Sequence, residues 1–307
     1  MIVLKIALDW TPNINHIGIF IAKELGFYSE VGIDVRIISP LEDNYTITPG
    51  KKLELGIADF AIAPFETVIS LNNKQNIVDA IAVYAILQED ISSVVTLASS
   101  QIDNPQQLDG KIYASYKARY EDHIVREMIK NDGGSGNLNI IYPEKLGIWN
   151  TLLTKQADAT WIFNNWEAVE AETKGIALNK FSLKAYNIPY CYSPIILATK
   201  HQIDNNKAAY TNFIQATKKG YLYAKENKAV AIDILEKQLT PYDKANINLS
   251  KALDATILHI GDDVTCGLMQ PERVNAFLEW LVKHELEHSS ILGQTLFTNE
   301  LVAKEYS

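Results

Sequence analysis

The chain alternates between short apolar runs and amphipathic stretches from its first residues. Residues 2–8 place Ile2, Val3, Leu4, Ile6, Ala7 and Leu8 in a run broken only by Lys5, which predicts a buried strand. A helix follows on the spacing of Ile17, Phe20, Ile21 and Leu25. Gly26 can take the left-handed backbone that closes it, and a second strand is predicted over 35–38. The Pro49-Gly50 pair predicts a tight turn, residues 60–63 a strand ending at Pro64, and residues 66–71 a helix. A long apolar run over 77–87 carries the chain out of this first unit.

The same beat then restarts. Strands are predicted over 92–97 and 112–114, separated by a short helix within 104–111 that Gly110 closes. A polar loop at 115–120 opens onto a helix over 121–130, and Gly133, Gly134 and Gly136 mark a flexible connection. The apolar stretch 159–163 ends in a polar elbow, Asn164 to Glu167. Residues 195–198 form the strand that re-enters the first unit. Beyond residue 205 the spacing is mostly helical, over 210–225, 229–238 and 273–284, the last with Phe277, Trp280 and Leu281 on one face.

This order predicts an α/β protein with helices on both faces of each sheet. Lobe I is expected to comprise residues 1–90 and 195–307, and lobe II residues 91–194. The chain would cross between them twice, near 88–92 and 192–195, and hinged closure over a ligand is the expected motion.

At 307 residues each lobe is large enough for its own core. A formal charge of −9, with no block of Lys or Arg, argues against nucleic acid or an anionic membrane as partner. No apolar run approaches the roughly 18 residues of a membrane helix, so no direct membrane insertion is expected. The chain enters its first strand at Ile2 without the succession of an export signal. As it stands the sequence predicts a cytoplasmic location, and a periplasmic or extracytoplasmic one if a signal has been removed. Cys191 and Cys266 form no C-x-x-C pair, which excludes a thiolate metal cage, and they read as small buried apolar residues. The run His284-Glu285-Leu286-Glu287-His288 lacks the zincin order, and no metal is expected there.

Candidate chemistry gathers in two elbows after strands, where ligands bind in open α/β sheets. In the first, Trp10 offers a face for a flat heterocycle. Asn13 and His16 offer hydrogen-bonding edges, or else cap the helix that follows. Glu66, just past a strand end, could accept from a ligand amine or simply favour its helix N-terminus. In lobe II, Tyr116 is a candidate ring partner. Lys117 is read as solvated, and Arg119 is a candidate clamp for an anion at a helix start. Asn165, Trp166 and Glu167 repeat the first elbow's logic from the opposite side, with Asn165 as helix cap and Trp166 as surface packing the plainer alternatives. Tyr190 lies on the returning crossover.

These residues carry a resemblance. The segment LDWTPNINHIGIF at 8–20, the run 156–159 ahead of Asn164 to Glu167, and residues 296–301 resemble solute-binding proteins for thiamine pyrimidine precursors. They also resemble the eukaryotic-type hydroxymethylpyrimidine phosphate synthases. The resemblance implies a two-lobed periplasmic-binding-protein-like type II fold with two strand crossovers and a helical C-terminal cover. It implies a small aminopyrimidine, for example formylaminomethyl-pyrimidine, bound between the lobes for uptake or salvage. An ABC transporter permease would be the partner if the chain is exported, and no cofactor is needed. The alternative it implies is a synthase-like enzyme of thiamine biosynthesis, making hydroxymethylpyrimidine phosphate from pyridoxal phosphate and histidine. Against that, the glycine-rich phosphate loop is missing near 115–120, the iron-binding cysteine run is reduced to Cys191, and neither Ala63 nor Thr67 is the expected lysine or histidine.

Overall fold

The computed structural model describes residues 1–143 and 148–303. Ten strands build two sheets. The first contains β1 (Ile2–Ala7), β2 (Ile33–Ile38), β3 (Phe60–Ala63), β4 (Ala80–Ala85) and β10 (Ile195–Thr199). The second contains β5 (Ser92–Leu97), β6 (Ile112–Ala114), β7 (Asn139–Ile141), β8 (Ala159–Phe163) and β9 (Leu178–Ser182).

Both sheets have one order. The first runs β2-β1-β3-β10-β4 and the second β7-β6-β8-β5-β9. In each, the fourth position holds the strand that has just crossed from the other sheet, and that strand alone runs antiparallel to its neighbours. This is the type II arrangement, and the fold is the two-lobed α/β fold expected. Phe60–Ala63 and Ala80–Ala85 are buried throughout, which explains their continuous apolar runs, whereas Ile33–Ile38 alternates buried and exposed positions.

One core packs the first sheet against helices Ile17–Glu24 and Lys207–Glu226, through residues such as Ile6, Ile62, Phe213 and Tyr221. The second sheet has its own cluster around Val95, Ala114 and Ile162. A further cluster runs across the crossovers and joins Tyr190 and Tyr192 to Phe277 and Trp280 of helix Pro271–Lys283. Arg273 on that helix binds both crossovers at once, with Nε donating to the Cys191 carbonyl at 2.7 Å and Nη1 to the Gln88 carbonyl at 2.5 Å.

The C-terminal segment covers the β4 edge. The Ala82 N–H donates to the Leu296 carbonyl, the Thr298 N–H to the Ala82 carbonyl and the Ala85 N–H to the Gly267 carbonyl, each at 2.9 Å. This satisfies backbone groups that an open edge would expose. Asn299 locks the segment with a reciprocal pair of bonds to the Met269 backbone. The Pro49-Gly50 pair differs from its expected turn. Thr48 caps the Lys51 N–H, and Pro49 supplies the first residue of helix Pro49–Glu54, a position where its missing N–H costs nothing.

Candidate functional site

Between the lobes lies a cavity of about 180 Å³, smaller than the ~300–1,000 Å³ usual for drug-sized ligands and suited to a single ring. The C-terminal ends of β1, β3 and β8 point at it, as strand ends do in such sheets. Seven of the nine residues singled out from the sequence line it: Trp10, Asn13, Glu66, Tyr116, Trp166, Glu167 and Tyr190. His16 and Asn165 lie behind the wall instead.

The first elbow is held by its own side chains. Asn13 caps a short turn of helix, its Oδ1 accepting the Asn15 N–H at 2.9 Å while its Nδ2 donates to the Thr11 carbonyl at 3.1 Å. His16 is fully buried. Its Nδ1 accepts the Asn13 N–H at 3.2 Å, so the ring proton sits on Nε2 and is donated to Asp9 Oδ1 at 2.8 Å. His16 therefore orients Asp9, and Asp9 rather than His16 reaches the cavity. Trp10 remains 37% exposed, tilted against Tyr45 at 5.3 Å.

Asn165 ties the lobes. Its Nδ2 donates to Asn15 Oδ1 at 2.7 Å and to Thr256 Oγ1 at 3.0 Å, all fully or nearly fully buried. Trp166, next to it, ends the second elbow and is 4% exposed. Glu167 turns back so that Oε2 accepts the Phe163 N–H at 2.9 Å. Burial pushes its carboxyl up to about 7, the backbone bonds only partly offsetting the lost hydration.

Glu66 opens helix Glu66–Asn72 and faces the other lobe. Oε1 accepts the Arg119 N–H at 3.1 Å across the cleft, and Oε2 lies 3.5 Å from the Tyr190 hydroxyl. Burial raises it to about 7 as well.

The loop at 115–120 departs from its expected use. Glu121 Oε1 accepts the Tyr116 N–H at 3.1 Å and the Tyr113 hydroxyl at 2.8 Å, while Oε2 accepts the Ala118 N–H at 3.1 Å. The chain's own carboxylate thus fills the donors that a helix start would offer to a bound anion. Arg119 is no anion clamp. Its guanidinium turns outward and pairs with Glu287 Oε1 at 2.5 Å, beside the Tyr120 hydroxyl. Lys117 lies over the Tyr142 ring at 5.5 Å.

Sequence reasoning missed Asp9, Asn15, Glu121 and Trp161 as cavity residues. Trp161, in the middle of β8, meets Tyr190 edge-on at 5.7 Å. Asp9, Glu66, Glu121 and Glu167 give the cavity four carboxylates, and among the described residues no Lys or Arg lines it. Aromatic walls with acidic edges suit a flat solute rich in N–H donors. Among the described lining residues there is no lysine to form an imine with pyridoxal phosphate and no cation to take its phosphate.

The NMT1/THI5 like family matches residues 13–231. The formylaminopyrimidine-binding protein of Halalkalibacterium halodurans is 22% identical over 305 residues, covering 96% of this chain and 89% of that protein. Among solved structures, the periplasmic nitrate-binding protein NrtA from Synechocystis PCC 6803 superposes with a TM-score of 0.71 at 11% identity, covering 98% of this chain and 87% of that one. The alkanesulfonate-binding protein SsuA from Xanthomonas axonopodis pv. citri, bound to MOPS, does so with a TM-score of 0.68 at 12% identity, covering 95% and 94%.

Proposed function

The chain belongs to the NMT1/THI5-like family, and from that premise we propose that it is a solute-binding protein for a small aminopyrimidine of the thiamine-precursor type. The observation that carries this reading is the cavity's make-up: aromatic faces from both lobes, four acidic side chains and, among the described residues, no lining cation. A formylaminopyrimidine, the solute named for the Halalkalibacterium relative, matches it in shape and in N–H donors. Trp10 would stack on the ring, with Trp161 and Tyr190 closing the other side. Glu66, Glu167 and Asn13 would read its polar edge, since carboxylates accept from an exocyclic amine and an amide can both donate and accept. Tyr116, with its phenol held near the same edge, would complete the wall.

The acidic cavity also sets this chain apart from the anion-binding proteins that share its fold. A sulfonate or nitrate would meet acidic side chains and no Lys or Arg among the described lining residues, in a partly dehydrated space. Delivery of the ligand to an ABC permease follows as the role of such a protein on the outer face of a membrane. The synthase reading finds no support in the described cavity residues, which offer neither an imine-forming lysine nor a phosphate cradle.

Intrinsic tryptophan fluorescence tests the reading, because Trp10, Trp161 and Trp166 all line the cavity. Titration with a formylaminopyrimidine should give a saturable change at one ligand per chain, whereas an alkanesulfonate and nitrate should give none. A response to the anions and none to the pyrimidine would overturn it.

A further inference from the structure

We propose that His123, Glu127 and His284 form a binding site for a divalent transition-metal ion of the zinc class, outside the cleft and independent of the ligand cavity. His123 and Glu127 stand one turn apart on helix Glu121–Asn131 of the second lobe, and so share a face. His284 arrives from the far end of the chain as the cap of helix Pro271–Lys283. Their donor atoms all lie within 4.8 Å of one another.

The spacing is that of ligands rather than of hydrogen bonds. His123 Nε2 lies 3.8 Å from Glu127 Oε1, and His284 Nδ1 lies 3.5 Å from Glu127 Oε2. Zinc bonds of about 2.0–2.2 Å in a tetrahedron hold neighbouring ligand atoms roughly 3.3–3.5 Å apart. His123 Nε2 is shielded from solvent and has no hydrogen-bond partner among the described residues. A buried polar atom left unpaired is costly, and coordination would remove that cost.

The surroundings hold the rings in place. Trp280 packs on His284 at 4.4 Å and meets His123 edge-on at 5.8 Å. Lys130 also pairs with Glu127 Oε1 at 2.5 Å, the oxygen nearer His123, while Oε2 faces His284. Arg126 is turned away, bound to the carbonyls of Gly136 and Leu138. Two imidazoles and one carboxylate, with water in a fourth position, suit zinc, nickel or copper. Magnesium and calcium prefer oxygen donors alone. The pair His284 and His288 noted in the sequence does not form a site, because the helix ends at Lys283 and His288 instead caps the Ser290 N–H.

Because each side supplies a histidine, the bound ion would tie the second lobe's helix to the C-terminal cover. The test is calorimetric titration of the tag-free, chelator-treated full chain with zinc chloride, with magnesium chloride as control. One zinc per chain and no magnesium is expected, and zinc should raise the melting temperature. His123→Ala and His284→Ala should each weaken zinc binding at least tenfold and abolish that rise. Glu127→Gln, which keeps the side chain's volume, should weaken zinc binding while the circular dichroism spectrum stays unchanged. No zinc binding by the wild type, or unchanged affinity in either histidine variant, would overturn the proposal. Pyrimidine titrations run on the same samples report on the cleft separately.

Discussion

Two tryptophans in the cavity differ in what else they hold up. Trp10 is 37% exposed, whereas Trp166 is 4% exposed and part of the main core. Trp10→Ala should therefore weaken pyrimidine binding by about 1–3 kcal/mol through lost stacking and leave the melting temperature nearly unchanged. Trp166→Ala should lose binding and also about 3–5 kcal/mol of stability from the cavity it leaves. Equal melting temperatures for the two variants would show that Trp166 is not the packed residue described. Glu66, buried, and Glu167, half-buried, make a second prediction. Glu66 and Glu167 sit near 7 in the folded chain against an ordinary 4.5. The folded state therefore holds protons that the unfolded chain has released between those values. Their contribution to stability is complete below about pH 4.5 and is lost as pH climbs through about 7. Thermal melts from pH 4.5 to 7.5 should fall less steeply in Glu66→Gln and Glu167→Gln than in the wild type. Parallel slopes would mean that neither carboxyl is held above the ordinary range. At this scale the sequence showed which residue types gather at the strand ends, Trp10, Asn13, Glu66 and Glu167 among them. It did not show Glu121 bonding backward to the 115–120 loop, because the side chain's direction is fixed by Tyr113 on a strand that the one-dimensional pattern leaves unoriented.

The two elbows follow from strand ends and caps that local sequence specifies, which is why residues 8–20 and 164–167 were legible. Helix contacts were not. Helix Ile17–Glu24 crosses helix Lys207–Glu226 where Gly18 and Gly220 let the backbones meet: a Cβ on Gly220 would lie 2.0 Å from the Gly18 carbonyl oxygen, and one on Gly18 would lie 2.3 Å from the Tyr221 ring. Nothing in the local pattern distinguishes these glycines from a turn residue or a packing gap. Gly220→Ala should destabilise the chain by about 1–3 kcal/mol, as overpacking does in a close-packed core. Chemical denaturation measures this, and a neutral result would mean that the two helices can slide apart at little cost. Arg273 is likewise invisible to periodicity, since the two carbonyls it binds, of Gln88 and Cys191, lie far apart in sequence. Arg273→Gln should lower stability by about 2–3 kcal/mol, the range for lost charge-assisted bonds. Unchanged stability would remove Arg273 as the link between the crossovers.

At the scale of the molecule, the alternation of elements was enough to give two lobes, two crossovers and a C-terminal cover, because each lobe repeats one strand order. The contacts across the cleft were not legible, since they join residues more than fifty positions apart. The Arg119 N–H on Glu66, Asn165 on Asn15, and the Tyr242 hydroxyl on Glu170 at 2.5 Å hold the lobes together around the cavity. Opening must break them, and a ligand that prefers the closed form should favour closure in proportion to its affinity. Small-angle scattering should thus show a smaller radius of gyration with a tight pyrimidine than without it. The most direct measurement is calorimetry of the wild type and Trp10→Ala with a formylaminopyrimidine, an alkanesulfonate and nitrate in turn. One pyrimidine should bind per chain, roughly 5- to 150-fold more weakly in the variant if stacking supplies about 1–3 kcal/mol, and neither anion should bind. Tight binding of an anion, or pyrimidine binding that ignores Trp10, would contradict an acidic, aromatic cleft built for a flat amine-bearing ring.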